Sequence, residues 1–431
     1  MDLDELQVGI YGLGHIGLPT ATILANNNIH VLGGDVNEKT VNSINQGICS
    51  FKEPGLEELV KKCVKNNYLK ATSNLDEVSK TSDIMIVIVP TPIDENKKSD
   101  LSFVISACES IKKGLEKNNL VIIESTVPPE TGMKIVKPLL EESGLKCGED
   151  FMLAYSPERA LPNNTLYEMT NNVRIVGGYD EKSANMAASL YSHITKGDII
   201  KVKDITSAEM VKLMENTYRD VNIALSNEFA LICEKINVDA NEVINAANYH
   251  PRVNIHTPGA GVGGHCIPVD PYFLIELAQN YDLNAQLLST SRSINNNMPK
   301  HVLEILMDNI DEKRENYTVS ILGIAYKGNV DDIRETPSEK LIYLLKENNF
   351  NIIAHDPLVK DETIESFGIK SVSYEEALKG DCVIIMTDHD LYKEITPDML
   401  VNKFIISSKP ILDINKFRKE GINFQAIGNI M

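Results

Sequence analysis

The chain has 431 residues, 43% hydrophobic and 24% charged, the balance of a soluble globular protein long enough for two or three domains. Its formal net charge of −19 argues against nucleic acid or anionic lipid as partners, because such a surface repels phosphate. No apolar run reaches membrane-spanning length, and the opening MDLDELQVGIYG is acidic where a secretion signal is basic, so a cytoplasmic location and no membrane partner are expected.

VGIYGLGHIGLPTATILANN reads as a strand, a glycine turn and a helix that tolerates Pro19 near its start. Gly12, Gly14 and Gly17 form GxGxxG, and Asp35 ends the next strand, IHVLGGD. In a dinucleotide site the first glycine makes the turn, the second admits a pyrophosphate and the third lets helix pack on strand. The bland alternative is a glycine turn that serves packing alone. Asp35 would accept both ribose hydroxyls and repel a 2′-phosphate, and no arginine follows it in VNEK, so the cofactor expected is NAD rather than NADP. DIMIVIVPTP and LVIIESTVPPET supply two more buried strands, ending at Pro90 and near Thr126. Strands alternating with helices predict a parallel, doubly wound sheet that binds ligands at its carboxyl edge.

In AYSPERALPNN, Glu158 and Arg159 stand just beyond a strand and between two prolines, Pro157 and Pro162, as solvated charges or as a rigid loop at that edge. From Thr206, TSAEMVKLMENTYRDVNIALSNEFALICEKI runs about thirty residues without Gly or Pro, which predicts a helix linking domains and offering a dimer surface. Lys212 and Asn216 share a face at i, i+4. They are either an exposed pair or, because Val211, Leu213 and Met214 are apolar, a cation and amide on a largely buried helix, able to stabilise an oxyanion. NYHPRVN gathers His250, Arg252 and Asn254 in a turn, where the histidine has a structural reading and Arg252 suits phosphate.

Residues 257–273, TPGAGVGGHCIPVDPYF, carry four glycines, then Cys266 and Asp270. Such glycine density lets backbone wrap closely round a ligand, and a thiol inside it is a candidate nucleophile rather than a small buried hydrophobe. The other six cysteines (49, 63, 108, 147, 233 and 382) read as structural residues in apolar helices or strands, without CxxC. The His-Cys pair is too sparse for a metal site, and none is expected. After residue 315, VSILGIAYKG, NIIAHDP and DCVIIMTD repeat the strand pattern, with Asp356 ending the second and a degraded glycine turn after the first. The fold class predicted is α/β, two Rossmann-like doubly wound parallel-sheet domains joined by a long central helix. The boundaries expected are 1–204 for the NAD-binding domain, 205–300 for the helical dimerisation domain and 301–431 for the second Rossmann-like domain.

GLGHIGLPTA, VPTP, ESTVPP, SPERALP, AEMVKLMENTYRDVNIA, GVGGHCIPVDP and ILGIAYKGNVDDIRETPS together resemble the UDP-glucose/GDP-mannose dehydrogenase family along nearly the whole chain. ENTYRDVNIA, NYHPRVNI and GGHCIPVDP look like its branch acting on UDP-N-acetylhexosamines; Val269 stands where the UDP-glucose branch usually has lysine. The resemblance implies four-electron, NAD-dependent oxidation of a C6 alcohol to a carboxylate, with UDP-N-acetyl-D-mannosamine as first substrate and the gluco and galacto epimers as alternatives. Cys266 would form a thiohemiacetal and then a thioester. Lys212 would move protons and, with Asn216, stabilise oxyanions; Asp270 would orient or deprotonate, and Glu158 would help water attack. His15, Ile16, Asp35, Thr91, Thr126 and Arg334 would lie against NAD. Arg159, Ala160, Lys212, Asn216, Arg219, His250, Gly263, Tyr326 and Lys327 would surround the UDP-sugar, joined by Arg252 from the second subunit of a homodimer or dimer of dimers. The C-terminal domain would contribute to the UDP site. Asn163 departs from the glycine usual in this branch, and asparagine tolerates the left-handed backbone needed there. Two further readings are a two-electron hydroxyacid dehydrogenase, which needs no thiol, and a non-catalytic NAD-binding protein.

Overall fold

The computed structural model describes residues 6–161, 163–310 and 316–429, so Pro162 of the predicted rigid loop lies outside the described residues. The chain divides into two compact units, Met1–Glu215 with Tyr272–Tyr281 and Asn216–Pro271 with Asp282–Met431.

The first unit is built on eight strands: β1 (Gln7–Tyr11), β2 (His30–Gly34), β3 (Leu69–Thr72), β4 (Ile84–Val87), β5 (Leu120–Ile123), β6 (Met152–Tyr155), β7 (Arg174–Gly178) and β8 (Ile199–Lys201). They lie in the order β3-β2-β1-β4-β5-β6-β7-β8, parallel throughout except where β7 runs antiparallel to β6. β4, β5 and β6 are apolar and buried at every position because each face of the sheet is covered. Alternate residues feed separate cores: Ile84, Ile86, Leu120 and Ile122 enter one, while Met85, Val87, Val121 and Ile123 enter the other.

The second unit repeats the plan with six parallel strands: β9 (Thr318–Leu322), β10 (Asn351–His355), β11 (Lys370–Ser371), β12 (Cys382–Ile385), β13 (Phe404–Ser407) and β14 (Asn423–Ala426), in the order β11-β10-β9-β12-β13-β14. Both sheets start from a central strand and wind outward, so each has a switch point at the carboxyl end of that strand, β1 or β9. The long helix runs Ile205–Lys235, 31 residues, one residue earlier than its sequence signal. Its burial differs from expectation: Leu213 is buried, but Met214 is 58% exposed, because only one face meets a core. Two cysteines also depart from their expected settings. Cys49 packs on the core from a loop, and Cys147 lies in a turn bridged to Phe151 rather than in a regular element.

Asp356, just beyond β10, locks the turn that leaves β9. Its Oδ2 accepts the N–H groups of Ile324 and Ala325 at 2.8 and 3.0 Å, and its Oδ1 those of Leu358 and Val359 at 2.9 and 3.0 Å. Buried His389 adds Nε2 at 3.1 Å, its tautomer fixed by the Asn329 N–H that Nδ1 accepts at 3.0 Å. Burial pushes the Asp356 carboxyl up, but the His389 and backbone donors outweigh it and hold the group at about 2. An ordinary unfolded aspartate titrates near 4, so this contribution is complete above about pH 4 and is lost as pH falls through about 2. Asp356→Ala is therefore expected to lower the protection of β9 and β10 amides in hydrogen exchange by about 2 kcal/mol at neutral pH. The deficit relative to the parent should shrink as pH falls from about 4 to 2.

Candidate active site

In the first unit the glycine turn after β1 takes three distinct forms. Gly12 has φ +95°, and a Cβ there would lie 2.2 Å from the Ile88 carbonyl oxygen. A Cβ on Gly17 would fall 1.8 Å from the Gly12 carbonyl oxygen, so helix Gly17–Asn26 rests directly on the turn. A Cβ on Gly14 would meet nothing within 4 Å. Two of the glycines are thus demanded by the protein itself, and the third leaves open backbone at a helix N-terminus, where a pyrophosphate is received. Asp35 Oδ2 accepts the Leu13 N–H and Oδ1 the Asn37 N–H, both at 2.8 Å, so the carboxylate keeps further lone pairs for a diol. These residues fit NAD. His15 is exposed, with its ring 4.2 Å from that of Phe51, and Ile16 caps the helix.

The loops beyond β4 and β5 are stapled together at the same carboxyl edge. Thr91 Oγ1 donates to the Thr126 carbonyl at 2.6 Å, and Ser125 Oγ bonds both the N–H and the carbonyl of Val89 at 2.8 Å. Beyond β6, Glu158 Oε1 accepts the N–H groups of Arg159 and Ala160, each at 2.6 Å. Arg159 turns its own guanidinium to Glu215, at 2.7 Å, and to the Val173 carbonyl, at 2.8 Å. Asn163 takes φ +67°, the left-handed backbone that asparagine allows, with its N–H on Glu53 at 3.0 Å. Lys212, half-buried, also belongs to this unit.

Sequence reasoning missed a buried cluster behind Glu158. Arg174, the first residue of β7, donates to Glu124 at 2.8 Å and to Glu158 Oε2 at 3.4 Å, while Tyr191 donates to the same Glu124 oxygen. The available signal was a single arginine opening the otherwise apolar run RIVGG.

In the second unit the long helix anchors the segment that leads to Cys266. Asn222 accepts the His256 N–H at 2.9 Å and donates to the Asn254 carbonyl at 2.6 Å, and Asn227 accepts the Gly259 N–H at 2.8 Å. Asn295 ties Asn227, at 2.9 Å, to Asp220, at 2.8 Å, and Asp220 meets Arg292 at 2.5 Å, so the anchors are themselves fixed. Further along, the Gly264 N–H reaches the Arg334 carbonyl at 2.9 Å; a Cβ on Gly263 would lie 2.5 Å from Tyr326, and one on Gly264 3.0 Å from its ring. That fit explains the glycine density.

Cys266 is half-buried, and its carbonyl accepts the N–H groups of Val269 and Asp270 at 3.0 and 2.9 Å as the chain turns into helix Asp270–Asn280. Asn216 donates to Asp270 at 2.6 Å, and both side chains are buried. Burial pushes the Tyr326 hydroxyl up, and the charges of Asp332 and Cys266 push it the same way. Arg334 pairs with Asp332 at 2.5 Å. Burial by itself would raise the Asp332 carboxyl, but Arg334 holds it low. Arg219, Lys327, His250 and Arg252 are exposed, the last two in one turn with the Arg252 guanidinium 3.5 Å from His250 Nε2. Among the described residues no three His, Cys, Asp or Glu side chains are grouped as a metal site. Among the other thiols, burial drives Cys108 and Cys147 up to about 12 and raises Cys49, Cys63 and Cys382.

Three sequence models of one family match the chain in succession: the NAD binding domain of the UDP-glucose/GDP-mannose dehydrogenase family over residues 6–195, its central domain over 206–297 and its UDP binding domain over 320–420. A UDP-N-acetyl-D-mannosamine dehydrogenase of Methanococcus maripaludis is 41% identical over 99% of this chain and 98% of its own. An NDP-N-acetyl-D-galactosaminuronic acid dehydrogenase of Ralstonia nicotianae is 36% identical over 95% and 97%. Among solved structures, a UDP-D-ManNAc dehydrogenase from Pyrococcus horikoshii superposes with a TM-score of 0.91 at 37% identity, over 99% of this chain and all of that one. With the glycine turn, Asp35 and the two wound sheets, these matches establish that the chain belongs to the UDP-glucose/GDP-mannose dehydrogenase family, as an NAD-dependent enzyme.

Proposed function

We propose that the enzyme oxidises the C6 alcohol of UDP-N-acetyl-D-mannosamine to the carboxylate in two steps, with Cys266 as covalent nucleophile. The observation that carries the covalent reading is the setting of Cys266: a half-buried thiol on a glycine loop fitted against Tyr326, next to the buried Asn216–Asp270 pair. The likeness to named UDP-N-acetyl-D-mannosamine dehydrogenases supports the manno sugar; the galacto relative makes its epimer the second reading.

NAD, when bound, supplies the hydride acceptor for each oxidation. In this chain Lys212 takes the alcohol proton in the first. Cys266 Sγ then bonds the C6 aldehyde carbon as a thiohemiacetal, which the second oxidation turns into a thioester. Asn216, its amide oriented by Asp270, stabilises the oxyanions, and Glu158 takes the proton of the water that displaces the thiolate. Arg159, Ala160, Arg219, His250, Gly263, Tyr326 and Lys327 line the UDP-sugar. His15, Ile16, Asp35, Thr91, Thr126 and Arg334 meet NAD. Exposed Tyr218, Leu225, Phe229 and Ile232 recur at three-, four- and seven-residue spacings on the long helix, with exposed Ile236 just past its end, a stripe suited to a second copy of the chain, whose Arg252 would complete the sugar site. The six cysteines other than Cys266 form no disulfide bond, in keeping with a reducing cytoplasm.

Wild-type enzyme is expected to release two NADH per sugar oxidised, and denaturation during turnover to trap a sugar adduct on Cys266 visible by peptide mass spectrometry. Cys266→Ser still binds NAD and UDP-sugar but loses at least about a thousandfold in steady turnover. One NADH with free aldehyde as final product would return the enzyme to two-electron chemistry, and a panel of UDP-N-acetylhexosamines ranks the epimers by kcat/KM. Asp35→Ala narrows the preference for NAD over NADP about ten- to a hundredfold, by losing a ribose acceptor and a repulsive charge; an unchanged ratio of kcat/KM values would count against that role. Mixing inactive Arg252→Ala and Cys266→Ala subunits restores part of the activity, and no recovery after confirmed subunit exchange would contradict the shared site.

A further inference from the structure

Glu158 has two differently held oxygens. Oε1 is fixed by the N–H groups of Arg159 and Ala160, while among the described residues Oε2 meets the Arg174 guanidinium alone, at a long 3.4 Å. Arg174 is itself gripped more tightly from behind: Glu124 Oε1 lies at 2.8 Å, and the guanidinium carbon stands 4.2 Å from the centroid of the Tyr191 ring. Tyr191 also donates to that Glu124 oxygen. Arg174, Glu124 and Tyr191 are all buried, and Glu124 Oε2 has no hydrogen-bond partner among the described residues. One buried cation thus serves two carboxylates at unequal distances. The other charged groups that bond to the Glu158 segment are Arg159, paired at 2.7 Å with Glu215 of the long helix, Glu168 of helix Thr165–Asn171, which accepts the Leu161 N–H at 3.0 Å, and Glu53, which accepts the Asn163 N–H at 3.0 Å.

We propose that Arg174 is the positioning residue for Glu158, and that Glu124, with Tyr191, sets how much of the Arg174 charge Glu158 receives. The inference rests on the role given to Glu158 in thioester hydrolysis. In that step the water oxygen bonds the C6 acyl carbon, the C6–S bond breaks, Cys266 leaves as thiolate and one water proton passes to Glu158; no electrons change hands. A base for this step has to be oriented, yet must not be so firmly paired with a cation that it gives up its basicity. Directing the guanidinium chiefly toward Glu124 meets both conditions. The geometry also explains why an arginine is tolerated at the head of a buried strand: it has a partner on each side and an aromatic face beneath.

The substitutions give opposite signatures. Glu124→Gln keeps an acceptor for Arg174 and Tyr191 but turns the cation's charge toward Glu158, so the acid limb of the kcat profile moves down by about one pH unit. Arg174→Gln removes the cation, so the limb moves up by a similar amount. In both, kcat near neutral pH falls at least about tenfold while KM for NAD and for UDP-N-acetyl-D-mannosamine stays within about threefold. The fraction of Cys266 trapped as sugar adduct in acid-quenched steady state rises, because hydrolysis has become limiting. Limbs that stay in place or shift the same way, or an adduct fraction like that of wild type, would overturn the proposal. If Arg174→Gln does not fold, Glu124→Gln and Tyr191→Phe decide the matter through the adduct fraction and the downward shift. Glu158→Gln and wild type are run beside them: a wild type that forms no adduct, or a Glu158→Gln enzyme with normal turnover, marks failure of the underlying reaction rather than of the positioning role.

Discussion

A carboxylate that ends one strand and accepts the backbone N–H of the turn leaving its neighbour is the interaction on which both units depend. Asp35 does this for the turn after β1, and Asp356 for the turn after β9. A glycine turn at the head of a parallel strand exposes N–H groups in the middle of a covered sheet, where leaving them unpaired costs about 1–3 kcal/mol each. The aspartate meets that need and fixes the crevice at the switch point. The two units then part ways. Asp35 spends two acceptor positions on its own chain, whereas Asp356 takes four backbone N–H groups and His389.

The strands that were legible in the sequence are those whose burial is complete. β4, β5 and β12 are unbroken apolar runs, and β1, β2, β9 and β10 announce themselves by the glycine or aspartate that follows. β8 and β11 gave no signal because they are two or three residues long and largely exposed, and the antiparallel direction of β7 depends on where the connection through helix Thr165–Asn171 returns the chain. Exposed Met214 shows the limit of reading burial from flanking residues: apolar neighbours on a helix lie on different faces.

The site was legible where chemistry is local in sequence. Gly12, Gly14, Gly17 and Asp35 form one strand–turn–helix–strand motif, and Cys266 and Asp270 share one loop. The Glu124–Arg174–Glu158–Tyr191 cluster was not, since its members come from four separate elements that meet only when β5, β6 and β7 are paired. The same holds for Asn222 and Asn227, whose roles depend on a loop about thirty residues downstream. Spacing on a single helix reveals which residues share a face, not what that face meets.

The filled acceptor positions of Asp356 bear on the order of events in turnover. With these positions occupied from within, Asp356 offers no counterpart to the acceptors that Asp35 keeps for a ribose, which leaves Asp35 as the candidate dinucleotide site. The proposed four-electron oxidation would then send both electron pairs through a single berth in succession. The first reduced nucleotide must depart and a fresh oxidised one arrive while the half-oxidised sugar waits. A free aldehyde could escape during that exchange; one bonded to sulfur, as proposed for Cys266, could not, so the proposed tether would serve retention as much as reactivity.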